Sequence, residues 1–135
     1  MAATDTRIDM APGALVFVTE RHLATLTTLR GDGTPHVVPV GFAWDDEAGL
    51  VRIITSGDSV KARNVRRTGY AAVSQVDGAR WLTLEGPADV LTDPAAVAEA
   101  ERRYAARYRT PRENPARVVI TIRPSRLLSS SALRV

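Results

Sequence analysis

The sequence predicts a mainly β protein, a small closed or split barrel of antiparallel strands with helices at its rim. Three observations lead there. Apolar segments of strand length follow one another through tight turns such as Gly31-Asp32-Gly33 and Asp77-Gly78, and tight turns favour antiparallel pairing. Six such segments share a chain of 135 residues, a length expected to form one domain over 1–135 with one core. The order is helix, three strands, short helix, two strands, helix, strand.

Residues 1–8 read as a flexible tail. Asp9 is placed to cap a short helix with Pro12 in its first turn. His22 to Arg30, rich in Leu and Thr, is the first strand. Pro35 to Trp44 is the second, and its nearly unbroken apolar run predicts cover on both faces. Leu50 to Thr55 follows after a turn at Asp45 to Gly49. Val60 to Arg67 forms a short basic helix that Gly69 ends. Tyr70 to Val76 is the fourth strand. Arg80 to Leu91 is a long fifth, in which Leu82 and Leu84 alternate with Trp81, Thr83 and Glu85. Gly86-Pro87 marks a bend midway along it. Asp93-Pro94 starts a helix that runs to about Arg109, with Val97, Ala100, Tyr104 and Tyr108 on one face. Thr110 to Pro115 is a polar loop. Val118, Ile120 and Ile122 make a sixth strand, which Leu127-Leu128 could extend past Pro124.

Composition narrows the function. Hydrophobic residues make up 44% and charged residues 24%, as in ordinary globular proteins. The chain has no cysteine, which removes disulfides, thiolate metal sites and cysteine nucleophiles. With only His22 and His36, a multi-histidine metal site is not expected, and no metal is. No apolar run approaches the ~18 residues of a membrane span. The first residues do not form a secretory signal, so a cytoplasmic protein is expected. A net charge of +3 does not demand a nucleic acid. All but one of the 18 Lys+Arg residues are arginine, and the exception is Lys61.

Three places could carry chemistry. In the run Thr55-Ser56-Gly57-Asp58-Ser59-Val60-Lys61-Ala62-Arg63-Asn64 a strand ends, hydroxyls and a glycine follow, and a helix begins with Lys in its first turn. Free N–H groups, the helix dipole and Lys61 suit a phosphate. The same pattern also describes a surface helix capped by Asp58 or Ser59. In Pro35-His36-Val37-Val38-Pro39-Val40-Gly41 two prolines lack an N–H. Either the ladder opens at Pro39 and leaves backbone groups for a flat heteroaromatic ligand, or the strand is a proline-protected edge. Trp81 and Gln75, near the ends of the fourth and fifth strands, could line a pocket or pack in a core or dimer interface. No Ser/His/Asp set and no glycine elbow appears, so any chemistry is expected to be a cofactor's.

Together these segments resemble a known family. His22 to Leu29 with Gly33 to Val40, Lys61 to Arg67, and Ser74 to Gly86 are similar to the opening strands, basic helix and fourth and fifth strands of the pyridoxamine-5′-phosphate-oxidase-like split β-barrel family. Arg103 to Arg112 resembles its branch of deazaflavin-dependent reductases that use coenzyme F420. The resemblance implies a six-stranded antiparallel split β-barrel of the FMN-binding type and a homodimer with cofactor sites at the interface. It implies that the ring lies along His36, Val37, Val38 and Pro39. It places the phosphate near Thr55, Ser56, Gly57, Ser59, Lys61 and Asn64, with Gln75 and Trp81 beside the ring or the substrate. Relatives often carry a basic residue where this chain has Ser59. The expected reaction is hydride transfer from reduced F420 to a conjugated planar acceptor, a tetrapyrrole such as biliverdin being reduced to bilirubin. An FMN-dependent oxidoreductase, or a protein that only binds F420, FMN or haem, is the alternative. No catalytic side chain is assigned.

Overall fold

The computed structural model describes residues 7–135. The expected tail therefore lies outside the described residues at positions 1–6, whereas Arg7 donates to the carbonyl of Glu47. Helix α1 (Pro12–Thr19) is followed by β1 (Ala24–Leu29), β2 (Pro35–Val40), β3 (Ala43–Asp45), β4 (Leu50–Ser56) and α2 (Val60–Thr68). Then come β5 (Tyr70–Asp77), β6 (Arg80–Leu91), α3 (Pro94–Arg107), β7 (Arg117–Ile122) and β8 (Arg126–Ser129), and a 3-10 turn closes the chain at Ser131–Arg134. The strands run in the order β2-β1-β5-β6-β7-β4-β3, with β8 also on β6. All pairings are antiparallel. Strands β2 and β3 end the main strand order without joining each other, and β8 is a further edge on β6, so the sheet wraps without closing, as a split barrel does.

The long β6 makes this wrapping possible. Its first half pairs with β5 and β8, and its second half leaves them for β7. The change falls at Gly86, where a Cβ would stand 2.5 Å from the Arg123 carbonyl oxygen and 2.7 Å from the Ser125 nitrogen. Only glycine lets the backbones approach that closely. The core lies inside the wrap: Phe17 of α1, Leu26, Phe42, Ile53, Leu82, Leu84, Ile120 and Ile122 are all buried.

The structure has eight strands where six were expected. The segment Pro35 to Trp44 divides at Gly41-Phe42, and its halves go to opposite edges of the sheet. Tyr104 and Tyr108 pack against Gly41, where a Cβ would meet their rings at 2.9 to 3.1 Å. Leu127-Leu128 does not extend β7. Pro124 interrupts the chain, and β8 turns back to pair Leu84 with Leu127 and Thr83 with Leu128. Nor is β2 covered on both faces: Val37 is 54% exposed in the single chain. Asp9 does not cap α1, whose N-cap is Ala11 with no side-chain bond; Pro12 presets the first turn instead. Helix α3 begins as expected, with the Asp93 carboxylate accepting from Ala96 N–H at 3.0 Å, but ends at Arg107. On its flank Glu99 and Arg103 pair at i,i+4.

Asp45, at the end of β3, is buried and ties β3, β4 and α3 together. It accepts from Arg52 at 2.5 Å and from Ala48 N–H at 3.1 Å, and lies 3.1 Å from Arg103. Burial pushes its carboxyl up, and the Arg52 bond, the Ala48 N–H and the two guanidinium charges outweigh that and hold it below its ordinary value. Removing one member of a buried pair leaves the other charge uncompensated, so Asp45→Ala should lower unfolding free energy by about 3 kcal/mol in urea melts. In the wild type this contribution is complete above the usual aspartate range and is lost as pH falls through the lowered folded value. The difference between wild type and variant should therefore vanish in strongly acidic melts.

Candidate functional site

Where β2, β4, the first turn of α2 and the loop after α3 converge, a cleft of about 380 Å³ opens. Pro39 and Gly41 form one side and Ile54, Thr55 and Ser56 the floor. Lys61, Arg109, Arg112 and Asn114 bring polar groups to it, and Tyr104 and Pro111 add apolar surface. The two segments singled out in the sequence, the proline-bracketed strand and the hydroxyl–glycine–lysine run, thus meet in space.

Lys61 is the centre of the charge. It stands in the first turn of α2, where the helix dipole disfavours a cation, and no acidic residue occupies that turn. Burial lowers its pKa below the usual lysine value. Among the described residues its ammonium makes no hydrogen bond or ion pair, and the same holds for Arg109 and Arg112. Three cations thus line one cleft without a counter-ion from the protein, Arg109 and Arg112 at its exposed rim, and the arrangement suits an anionic ligand. Arg117, also on the wall, is instead paired with Glu101 at 2.7 Å.

The hydroxyls are ordered from below. Ser59, not Asp58, caps α2, accepting from Ala62 N–H at 3.2 Å, and Thr55 Oγ1 donates to Ser59 Oγ at 3.1 Å. Ser56 Oγ accepts from Asn114 Nδ2 at 2.9 Å, leaving its own proton to donate outward. Gly57 has no free backbone group: its N–H donates to Ala116 O and its carbonyl accepts from Arg66.

The prolines of β2 have a geometric explanation. Arg30 N–H donates to Thr34 O at 2.8 Å, which sets the alternation of ladder bonds along the β1–β2 hairpin. Pro35, Val37 and Pro39, opposite Leu29, Thr27 and Thr25, fall at the positions that do not bond β1. The ladder is therefore not opened at Pro39. The strand is an edge, and its free side carries a single backbone donor, the N–H of Val37. His36 and Val38 bond β1 and turn their side chains to the opposite face. The Nδ1 of His36 is buried without a partner.

Of the sequence candidates, Pro39, Thr55, Ser56 and Lys61 line the cleft; His36, Val37, Val38, Gly57 and Ser59 belong to the same two segments but do not line it, and Asn64, Gln75 and Trp81 lie elsewhere. Asn64 is buried, with Nδ2 donating to Thr28 Oγ1 at 3.0 Å and Oδ1 accepting from Arg67 at 2.9 Å. Gln75 is fully buried, donating to Phe17 O at 2.9 Å and accepting from Arg107 at 2.6 Å. Their hydrogen-bonding capacity is used within the fold. Trp81 lies on the outer face of the sheet opposite Val76, with its ring half-exposed. Glu20, His22 and Asp77 also converge, but Arg80 donates to both carboxylates, and with His22 it holds the Glu20 carboxyl at about 2.

The sequence signature of pyridoxamine 5′-phosphate oxidase matches residues 11–130. The chain belongs to that family. An F420H(2)-dependent biliverdin reductase of Mycobacterium tuberculosis (strain CDC 1551 / Oshkosh) is 56% identical over 133 residues, covering 98% of this chain and 97% of that protein. Among solved structures of the same architecture, a protein described as an F420 reductase superposes with a TM-score of 0.69 at 29% identity, covering 84% of this chain and 94% of its own. A conserved hypothetical protein of Mycobacterium tuberculosis gives 0.79 at 24% identity over 96% and 89%. This second likeness speaks for the fold alone.

The contact of Gly41 with the two tyrosines fixes one wall of the cleft. Gly41→Val should push the rings of Tyr104 and Tyr108 aside and lower stability by about 1–3 kcal/mol, as overpacking does. A calorimetric scan of the variant checks it, and Gly31→Val, at a glycine without a positive φ whose Cβ would meet the Arg67 side chain at 3.9 Å, is the control for backbone effects of losing glycine.

Proposed function

We propose that the chain is an F420-dependent reductase that passes a hydride to a conjugated planar acceptor, with biliverdin as the substrate and bilirubin as the product. The observation that carries this reading is the cleft in which Lys61, Arg109 and Arg112 meet without an anion, beside an edge strand with one outward backbone donor. Coenzyme F420 has a flat ring and a tail of phosphate and carboxylates, and the donor set fits both parts. The mycobacterial relative's activity supports the choice of cofactor and acceptor.

When bound and reduced, F420 supplies hydride from C5 of its deazaflavin ring. The protein contributes position and charge. Lys61 and the Ser56 hydroxyl would take the phosphate, while Thr55, whose proton goes to Ser59, steadies the serine that caps α2. Arg109 and Arg112 take the carboxylates. The edge of β2 from His36 to Pro39 aligns the ring through Val37 N–H. Biliverdin carries two propionates, and a cationic rim suits them.

The reading includes a homodimer in the cytoplasm. Leu29, Val37, Val76, Trp81 and Leu128 share the outer face of the sheet β2-β1-β5-β6-β8, and all are exposed in the single chain. An apolar face of that kind is suited to a second copy. Val37→Glu should give a monomer by light scattering, while the wild type runs as a dimer.

Titration of F420 and of FMN against the fluorescence of Trp44 and Trp81 tests the cofactor, and biliverdin with reduced F420 tests the reaction. Tight FMN binding with no response to F420, or no bilirubin from biliverdin, contradicts the proposal. Lys61→Ala should weaken F420 binding by about 1–3 kcal/mol, the scale of a lost charged hydrogen bond. Because burial lowers the Lys61 pKa, wild-type affinity should fall as pH rises through that lowered value, below the usual lysine range. Lys61→Arg should remove this alkaline loss.

A further inference from the structure

A second cleft, of about 410 Å³, lies on the far side of Tyr104 and Arg109 from the first. Arg21, His22 and Leu23 line it from the chain before β1, and Tyr104, Tyr108 and Arg109 from the end of α3. Tyr104 and Arg109 thus face both clefts. We infer that this second cleft receives a carboxylate of the planar acceptor, with Arg21 as the residue that selects acidic acceptors. The inference rests on the reading of the chain as an F420-dependent reductase.

The charge pattern is the first support. Arg21 and Arg109 make no hydrogen bond or ion pair among the described residues. The chain engages its other arginines widely: Arg52 with Asp45, Arg80 with Glu20, Arg107 with Gln75, Arg117 with Glu101. The acid next to Arg21, Glu20, already serves Arg80 and His22. Arg109 is shared with the cofactor's cleft, so Arg21 is the guanidinium this second cleft offers to a ligand, and a planar fork is the group that grips a carboxylate through two parallel bonds.

The second support is that Arg21 is held rather than loose at its backbone. Arg107 Nε donates to the carbonyl of Glu20 at 2.9 Å, and the Tyr108 hydroxyl donates to the carbonyl of His22 at 2.6 Å. The residues on both sides of Arg21 are thereby tied to the end of α3. The Tyr104 and Tyr108 rings, with centroids 5.0 Å apart, give the cleft an aromatic wall. A propionate arm that reaches past Tyr104 and Arg109 into this cleft leaves the conjugated body on the cofactor's side, in the contact that hydride transfer requires.

Full-length wild type, Arg21→Ala and Arg21→Lys would be titrated with biliverdin and with biliverdin dimethyl ester, whose propionates carry no charge, by following pigment absorbance. F420 affinity would be measured in parallel by tryptophan fluorescence. Arg21→Ala should bind biliverdin about ten- to a hundredfold more weakly and F420 as well as wild type does. The ester should bind wild type and Arg21→Ala equally poorly, and Arg21→Lys should recover part of the affinity. Unchanged biliverdin binding in Arg21→Ala, an ester that binds wild type as tightly as the acid, or a loss that falls on F420 instead would overturn the inference. Failure of wild type to bind biliverdin would overturn it too. Binding that depends on Arg21 without reduction by reduced F420 would refute the proposed reaction and leave the carboxylate site standing.

Discussion

The guanidinium of Arg107 is the join on which the site depends. It donates to the carbonyls of Glu20 and Phe42 and to the side chain of Gln75, and it stacks over the rings of Phe42 and Tyr108. One side chain thus links α3 to the segment before β1, to the break between β2 and β3, and to β5. All its acceptors are neutral, and burial lowers its pKa, yet arginine remains charged at any physiological pH. Its position at the C-terminal end of α3, where carbonyls point outward, favours the charge. With the Tyr108 hydroxyl and the Asn114–Ser56 bond, this link sets the loop bearing Arg109 and Arg112 against β2 and Lys61.

Several cations of the frame are matched, as Arg52 is by Asp45 and Arg80 by Glu20 and Asp77. Lys61, Arg109 and Arg112 in the first cleft and Arg21 in the second are unmatched among the described residues, and Lys61 even stands against the dipole of its own helix. Local rules of stability are expected to be broken where function requires it. Placing a lone ammonium at a helix start and withholding every acid from its first turn is such a breach.

Much of this was legible in the sequence. Tight turns gave the antiparallel pattern, Asp93-Pro94 the start of α3, and the Thr55-to-Lys61 run the cleft's cationic corner. Gln75 and Asn64 look like site residues when read as polar groups near a motif. The parity of β5 shows otherwise for Gln75, since it falls in phase with the buried Ala71 and Val73. Asn64 lies beside the buried Val65 on a short helix, and its partner Thr28 is thirty-six positions away, so no local pattern reveals the bond. Arg109, Arg112 and Asn114 were missed for the same reason. Their loop is fixed by contacts such as Asn114 with Ser56 across 58 positions, and only the density of arginine after Arg107 hinted at a role. The split at Gly41 was hidden because hydrophobicity continues across it while the strand partners change.

The prolines of β2 have one more consequence. A bare sheet edge is a template on which identical chains can stack without limit, and growth into fibres requires a regular row of donors and acceptors. Pro35 and Pro39 remove two of the three outward donors of β2, and the carbonyl of Pro35 already accepts from Arg30 at 2.7 Å. What remains can hold one small planar molecule but cannot nucleate a cross-β ladder. The protein can therefore leave that edge uncovered even at high concentration.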